Sequence, residues 1–252
     1  MDHAMKITPL LIAAGVFVAA PAFAQANTDP ARDPAKTEVW TPVPATVATP
    51  PGKAPSDAIV LFDGKDASAW EAEQGGRVPW TVADGALTVV PGSKGIRTRQ
   101  YFCDVQLHVE WRTPVETKGF DGQSRGNSGI FLQERYELQV LDSYNNPTYA
   151  NGQAGSIYKQ AMPLVNASRA PGQWQAYDIL WKAPRFSVGG GLVSPARITV
   201  LHNGVLVQDD TVLAGRTEYI GAPSYSPHAC APLYLQEHDS KVSYRNIWVR
   251  EL

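Results

Sequence analysis

Three short runs of this sequence alternate apolar residues with polar residues that can do chemistry. Gln106, His108 and Glu110 alternate with Val105, Leu107, Val109 and Trp111. Glu137 and Gln139 alternate with Tyr136, Leu138 and Val140, and Gln236 and His238 complete the set. A period of two is that of a β-strand with one face buried. An ordinary solvated face carries Lys, Thr or Ser; these faces carry carboxylates, amides and imidazoles. Amides donate and accept at once, carboxylates accept, and imidazole exchanges protons near neutral pH. Beside a few aromatic rings, such a face suits a polyhydroxylated ring with an apolar side. For any one residue a plain solvated face explains the pattern as well; the argument rests on the set.

Several other chemistries are excluded by their missing spacings. The sequence contains no His-Glu-x-x-His and no phosphate-binding glycine loop. Sandwich glucanases carry Glu-x-Asp-x-x-Glu on one strand face. Here Gln139 stands two residues after Glu137, and Asp142 occupies the place of the last Glu. Hydrolysis by two matched carboxylates is therefore not supported by this strand.

The elements that must position these residues are strands. Val105–Trp111 and Tyr177–Trp181 alternate, and Arg197–His202 leads into Asn203-Gly204 and then Val205–Gln208 as a hairpin signal. Asp84-Gly85 marks a second hairpin within Trp80–Val89. Leu233–Glu237 and Val242–Arg250 read as a final strand pair turning at His238-Asp239-Ser240. Neither a long 3.6-residue period nor a solenoid-type repeat occurs. The expectation is an all-β, two-sheet antiparallel sandwich. Three long connections, Thr113–Ser128, Asp142–Trp174 and Asp209–Ala231, are expected to carry function. Gly189-Gly190-Gly191 reads as a hairpin tip or an insertion.

The chain has 252 residues and a formal net charge of −2, which gives no electrostatic reason to expect nucleic acid or an anionic membrane. Lys6, the apolar run Leu10–Ala20 and the Ala22-x-Ala24 signal read as a secretory leader over residues 1–24. That run is too short for a good membrane span. No membrane insertion is expected after its removal, and the expected location is the periplasm or outside. Residues 25–55, rich in Pro, Ala and Thr, read as a disordered linker. Residues 56–252 read as one domain. An oxidising compartment permits a bond between Cys103 and Cys230, while two buried thiols remain the alternative.

Six motifs in order make the sequence specific. They are Leu61-Phe62-Asp63-Gly64-Lys65; Trp80-Thr81-Val82-x-Asp84-Gly85; Arg125-Gly126-Asn127-Ser128-Gly129-Ile130-Phe131; Tyr136-Glu137-Leu138-Gln139-Val140-Leu141-Asp142-Ser143; Gly172-Gln173-Trp174-Gln175-x-Tyr177-Asp178-Ile179; and Leu235-Gln236-x-His238 with Arg245-Asn246-Ile247-Trp248-Val249. The chain resembles the 3-keto-disaccharide hydrolase family from about Ile59 to Leu252. It departs where the last motif often has Gly after the His and here has Asp239.

The resemblance implies a concanavalin A-like jelly roll acting on glycosides whose C3 hydroxyl has been oxidised by a separate sugar 3-dehydrogenase. A 3-keto group acidifies the C2 proton, so a base can start an elimination that expels the aglycone from C1, and water then adds back. Such a site needs a base, an enolate stabiliser and a donor for the leaving group. Glu137 and His238 are the expected catalytic pair. Arg125 and Asn127 are candidates to stabilise the enolate or hold hydroxyls, and Gln139, Asp142, Tyr158 and Gln236 to orient the sugar. Glu137, Asp142 and His238 are also candidates to hold a divalent metal as Lewis acid. No cofactor is otherwise implied. Arg245-Asn246 reads as structural. A non-catalytic carbohydrate-binding module and a scaffold domain are the competing readings, because this fold hosts all three.

Overall fold

The computed structural model describes residues 33–252, and the chain falls into two units that divide between Thr46 and Val47. The expected leader and the start of the linker lie outside the described residues. In the first unit Pro34–Thr37 forms one 3-10 turn, capped by the Asp33 carboxylate, which accepts from the Ala35 amide at 3.0 Å. No strand precedes Ile59 among the described residues.

The second unit contains fifteen strands: β1 (Ile59–Phe62), β2 (Trp70–Ala72), β3 (Thr81–Ala83), β4 (Ala86–Thr88), β5 (Ile96–Thr98), β6 (Val105–Arg112), β7 (Ser128–Leu132), β8 (Tyr136–Val140), β9 (Gln175–Lys182), β10 (Arg185–Phe186), β11 (Leu192–Ser194), β12 (Arg197–His202), β13 (Val205–Val212), β14 (Tyr234–Leu235) and β15 (Ser243–Glu251). One sheet runs β13-β12-β9-β6-β15-β4-β3, with β1 also paired to β15; the other runs β2-β5-β14-β7-β8. All the strand pairs are antiparallel. This is the expected all-β two-sheet sandwich. β10 and β11 form a separate hairpin, with the glycine run at its tip.

The alternation seen in the sequence builds the core. On β6, Val105, Leu107, Val109 and Trp111 point inward, and on β9 Tyr177, Ile179 and Trp181 do the same. They meet Ile130, Leu132, Tyr136, Leu138 and Val140 of the smaller sheet. Two tyrosines tie the layers together. The Tyr177 hydroxyl donates to the Gln139 carbonyl at 2.8 Å. The Tyr244 hydroxyl lies 2.6 Å from Ser128 Oγ; that oxygen donates its own proton to the Gln236 carbonyl at 2.6 Å, which leaves Tyr244 as donor. These bonds satisfy phenols that burial would otherwise penalise. The Asn203-Gly204 and Asp84-Gly85 hairpins form as read, with Asn203 at φ 54° and Asp84 at φ 52°.

The structure corrects two expectations. Leu233–Glu237 and Val242–Arg250 do not pair. β14 lies between β5 and β7 in the smaller sheet, while β15 lies in the larger one, so the His238-Asp239-Ser240 segment carries the chain from one sheet to the other. Alternation identifies strands but does not assign partners. The three polar faces also do not form one surface: Gln106, His108 and Glu110 are on the outer face of the larger sheet, and Glu137, Gln139 and Gln236 on that of the smaller.

The outer face of β6 is a closed network. His108 Nδ1 is 2.6 Å from the Asp178 carboxylate, its ring stacks on Trp248 at 5.2 Å, and Glu110 accepts from Arg245 Nε at 2.6 Å and Asn246 Nδ2 at 2.8 Å. Arg245-Asn246 is structural, as read. Burial alone would push the His108 pKa down, but the Asp178 and Glu110 carboxylates outweigh it and hold the pKa at about 9. The folded state therefore binds this proton more tightly than the unfolded chain. Its stabilisation is complete below about pH 6.5 and is lost as pH rises through 9. His108→Gln is expected to cost about 1.5–3 kcal/mol at pH 6, the range for a hydrogen bond to a charged group. At pH 10 it should cost much less. Denaturant midpoints at the two pH values check this, and an equal loss at both would show that His108 acts through packing alone.

Candidate active site

The second polar strand becomes the wall of a cavity because loops cover it. Residues 155–158 run along the free edge of β8 almost as an added strand. Gln139 N donates to the Ser156 carbonyl at 2.9 Å, Gly155 N to the Gln139 carbonyl at 3.1 Å, and Tyr158 N to the Glu137 carbonyl at 3.2 Å. Further along the same edge, Glu137 N donates to Thr217 Oγ1 at 2.9 Å. Every residue of β8 is thus buried, including its outer-face members. The space enclosed is about 530 Å³. Asn127, Gln139, Gln236, His238, Tyr158 and Glu137 line it, joined by Gln123, Phe131, Tyr149, Lys159, Thr217 and Tyr219.

Glu137 dominates the electrostatics. The residue is 5 % exposed, and no side chain or amide among the described residues hydrogen-bonds its carboxylate. Desolvation pushes its pKa up to about 8. The carboxylate lies across the neighbouring strand over Gly129: a Cβ there would come within 2.6 Å of Glu137 Oε1 and 2.9 Å of Phe131 Cε2. Glycine at 129 is what lets the carboxylate lie flat on the sheet and face the cavity.

The amides form a directional chain around it. Gln139 Nε2 donates to Asn127 Oδ1 at 2.9 Å and to the Val140 carbonyl at 3.1 Å, and Asn127 Nδ2 donates to the Gln123 carbonyl at 2.7 Å. These acceptors fix which way the Gln139 amide faces. Its Oε1 is buried with no partner, as are those of Gln123 and Gln236. Buried acceptors without donors are costly in a bare protein, and three lining one cavity match a ligand rich in hydroxyls.

On the loop side, the Tyr158 and Tyr149 hydroxyls are 2.7 Å apart. Desolvation, the Tyr149 contact and the nearby Glu137 charge push the Tyr158 pKa up, so the phenol holds its proton. Lys159 Nζ donates to the Tyr219 carbonyl at 2.7 Å and lies 4.1 Å from the centre of that ring. Lys159 has φ 58°, a conformation rare for lysine, kept here by its N–H bond to the Asn151 carbonyl at 2.8 Å. It is the one lysine or arginine among the described residues lining the cavity.

Two expected site residues are not on the wall. Arg125 Nε and Asp142 Oδ2 are 2.8 Å apart with both atoms buried, an ion pair whose N–H does not point along the contact. Asp142 also accepts from Tyr144 N at 3.1 Å, and Arg125 Nη2 bonds the Tyr144 carbonyl. The pair pins the loop that leaves β8. The expected metal set Glu137, Asp142 and His238 is therefore not gathered at one point. Among the described residues no three His, Cys, Asp or Glu side chains are placed to hold a metal ion. His238 is exposed at the rim. Sequence reading missed Lys159, Tyr149, Thr217 and Tyr219. All four lie in long connections, where no period marks them, and only the length of those connections pointed to function.

Residues 57–250 match the family described as the 3-keto-alpha-glucoside-1,2-lyase-like domain. The chain belongs to this family. A crystal structure from Parabacteroides distasonis ATCC 8503, of a protein assigned as a glycosyl hydrolase, superposes with a TM-score of 0.85 at 50 % identity, covering 87 % of this chain and 97 % of that one. A second from the same organism, assigned in the same way, gives 0.55 at 21 % identity over 78 % and 94 %, which shows the fold alone. No curated protein matches. A carbohydrate-related function is thereby shown for this 3-keto-glucoside lyase-like domain, and its cavity has the polar, hydroxyl-matching wall that such a function needs.

Proposed function

We propose that this protein cleaves the glycosidic bond of 3-keto-glycosides by elimination and hydration. The observation that carries the reading is the Glu137 carboxylate: buried, unpaired and held at a pKa of about 8 on the cavity wall. A base poised near neutral pH suits abstraction of a proton next to a ketone. Glu137 takes the C2 proton, and the C–H electrons move to the C3 oxygen as an enolate. The ammonium of Lys159 stabilises that charge. The enolate re-forms the carbonyl and breaks the bond from C1 to the aglycone oxygen, which takes a proton from the Tyr158 phenol. Water then adds its hydroxyl to C1 as its proton passes to the Tyr158 phenolate, and protonated Glu137 returns the proton to C2. The oxygens of Gln139 and Gln236 accept from sugar hydroxyls. His238, at the rim, relays protons to solvent. The Arg125–Asp142 pair positions the loop.

A reaction that begins from a ketone requires a sugar 3-dehydrogenase to supply the substrate. The leader-like start of the sequence and the Cys103–Cys230 disulfide support action in the periplasm or outside.

Aglycone release by the purified chain from a 3-keto-glucoside, compared with the same glucoside unoxidised, tests the reading. Release from the keto substrate alone is the expected result. Equal release from both would replace elimination with ordinary hydrolysis. Binding without release would make this a carbohydrate-binding module, and loss of release on chelation would add a metal that the wall residues do not by themselves assemble.

A further inference from the structure

The strand register of the smaller sheet lines up five outer-face side chains in one row. Glu137 on β8 pairs with Phe131 on β7, Phe131 with Tyr234 on β14, Tyr234 with Arg97 on β5, and Arg97 with Glu71 on β2. Four steps of about 4.8 Å give a row of roughly 19 Å. The proposed base stands at one end. The cavity around it accounts for only the first part of the row. Beyond Phe131 and Gln236, which line both, a second hollow of about 480 Å³ opens over Tyr234, flanked by Arg97, Glu73 and Glu134.

The floor of this hollow is aromatic. The Tyr234 ring lies over Gly95, where a Cβ would come within 2.3 Å of its hydroxyl and 2.4 Å of Cζ. Phe131 meets it edge-on, with centroids 5.4 Å apart and planes at 73°. One ring lying on the sheet against a second standing beside it makes a corner, and the apolar face of a pyranose fits such a corner. The rim is polar: Arg97 bonds Glu71 at 3.0 Å and reaches Glu134 at 3.5 Å, the Tyr234 hydroxyl is 3.5 Å from Glu73, and the Gln236 oxygen is buried without a partner. Two carboxylates, Glu73 and Glu134, line the hollow with the one guanidinium of Arg97, and this surplus of negative charge disfavours an acidic ligand and leaves acceptors for the hydroxyls of a neutral one.

We propose that Phe131, Tyr234, Arg97 and Gln236 form a second saccharide subsite, which holds a neutral sugar as the leaving unit. Resting on the function proposed above, this places the ring that reacts over Glu137. The bond that breaks then lies at the boundary between the two hollows, near Phe131 and Gln236. The leaving group is a sugar packed on Tyr234, in preference to a small alcohol.

The test compares a 3-keto-disaccharide with methyl 3-keto-glucoside on wild-type protein and on Tyr234→Leu. Wild type is expected to favour the two-ring substrate at least tenfold in kcat/KM, and Tyr234→Leu to remove most of that preference. Equal kcat/KM on both substrates for wild type overturns the subsite. So does a variant with an unchanged melting temperature that loses the same factor on both. The wild-type comparison decides the matter if the variant does not fold. If neither keto substrate is cleaved, the elimination reading fails, and NMR titration with unoxidised disaccharide and monosaccharide judges the subsite by itself. At least tenfold tighter binding of the disaccharide by wild type supports the subsite, and equal binding overturns it.

Discussion

Glu137→Gln is expected to lower kcat/KM on a 3-keto-glucoside by about 10²–10⁴, the range for loss of a positioned general base, without destabilising the fold. The amide keeps the shape of the side chain and its place over Gly129, so the wall is unchanged while the proton acceptor is gone. Stability moves in the opposite direction to activity. Burial raises the Glu137 pKa from 4.5 to about 8. Below pH 4.5 the carboxyl is neutral in both folded and unfolded chains and costs nothing. As pH rises towards 8 the unfolded chain has released a proton that the folded protein keeps, and this lowers the stability of wild type. The penalty is complete above about pH 8 and amounts to about 1.4 kcal/mol for each unit of raised pKa. The variant should therefore match wild type at pH 4 and exceed it at pH 9.

The same raised pKa predicts the wild-type pH profile: kcat/KM climbs as Glu137 ionises and levels above about pH 8. Steady-state rates from pH 5 to 10, with denaturant melts of both proteins at pH 4 and 9, check all three statements. A variant keeping more than a tenth of wild-type kcat/KM would move the base to His238, which faces the same cavity from the rim.

What could be read from the sequence divides along physical lines. The strands β6, β9 and β12 carry their period in side chains that are alternately 0–2 % exposed and outward, and a pattern of that kind needs no tertiary information. The Asn203-Gly204 turn is equally local. Pairing is not local: β14 and β15 are adjacent in sequence with a turn between them, yet join different sheets, because Tyr234 and Leu235 find partners on β5 and β7 from more than a hundred residues away. The site shows the same split. Glu137 and Gln139 were visible as odd members of a strand face, but their burial comes from residues 155–158 and 217, which carry no pattern. Asp142 looked like a candidate ligand, and its role is set by Arg125, seventeen residues earlier, through an ion pair that no motif announces. Lys159 became visible only once the loop had been folded against β8.

Breaking the disulfide is the other change with a large expected effect. Cys103 precedes β6 of the larger sheet and Cys230 precedes β14 of the smaller one; they are bonded, at a sequence separation of 127. The flanking backbone already meets there, Phe102 N donating to the Ala231 carbonyl at 3.0 Å. In the chain-entropy account, closing a loop of that length lowers the entropy of the unfolded chain by an amount worth about 5 kcal/mol at 25 °C. A domain of this kind has about 5–15 kcal/mol of stability in total, so Cys103→Ala/Cys230→Ala, or wild type under reductant, should unfold at a much lower denaturant concentration. A loss below about 1 kcal/mol would mean that the Phe102–Ala231 contact already holds the two segments together in the unfolded ensemble. Local consequences should fall on the smaller sheet. β14 has only two residues, and it brings Tyr234, Gln236 and, three residues beyond its end, His238 to the groove. Its approach to the sheet is fixed at Cys230, four residues before the strand begins. Loss of the bond is therefore expected to raise KM at temperatures where the domain is still folded. Both readouts follow from one fact of topology: the strand that carries half of the proposed groove is too short to hold itself in register, and a covalent bond to the opposite sheet does so.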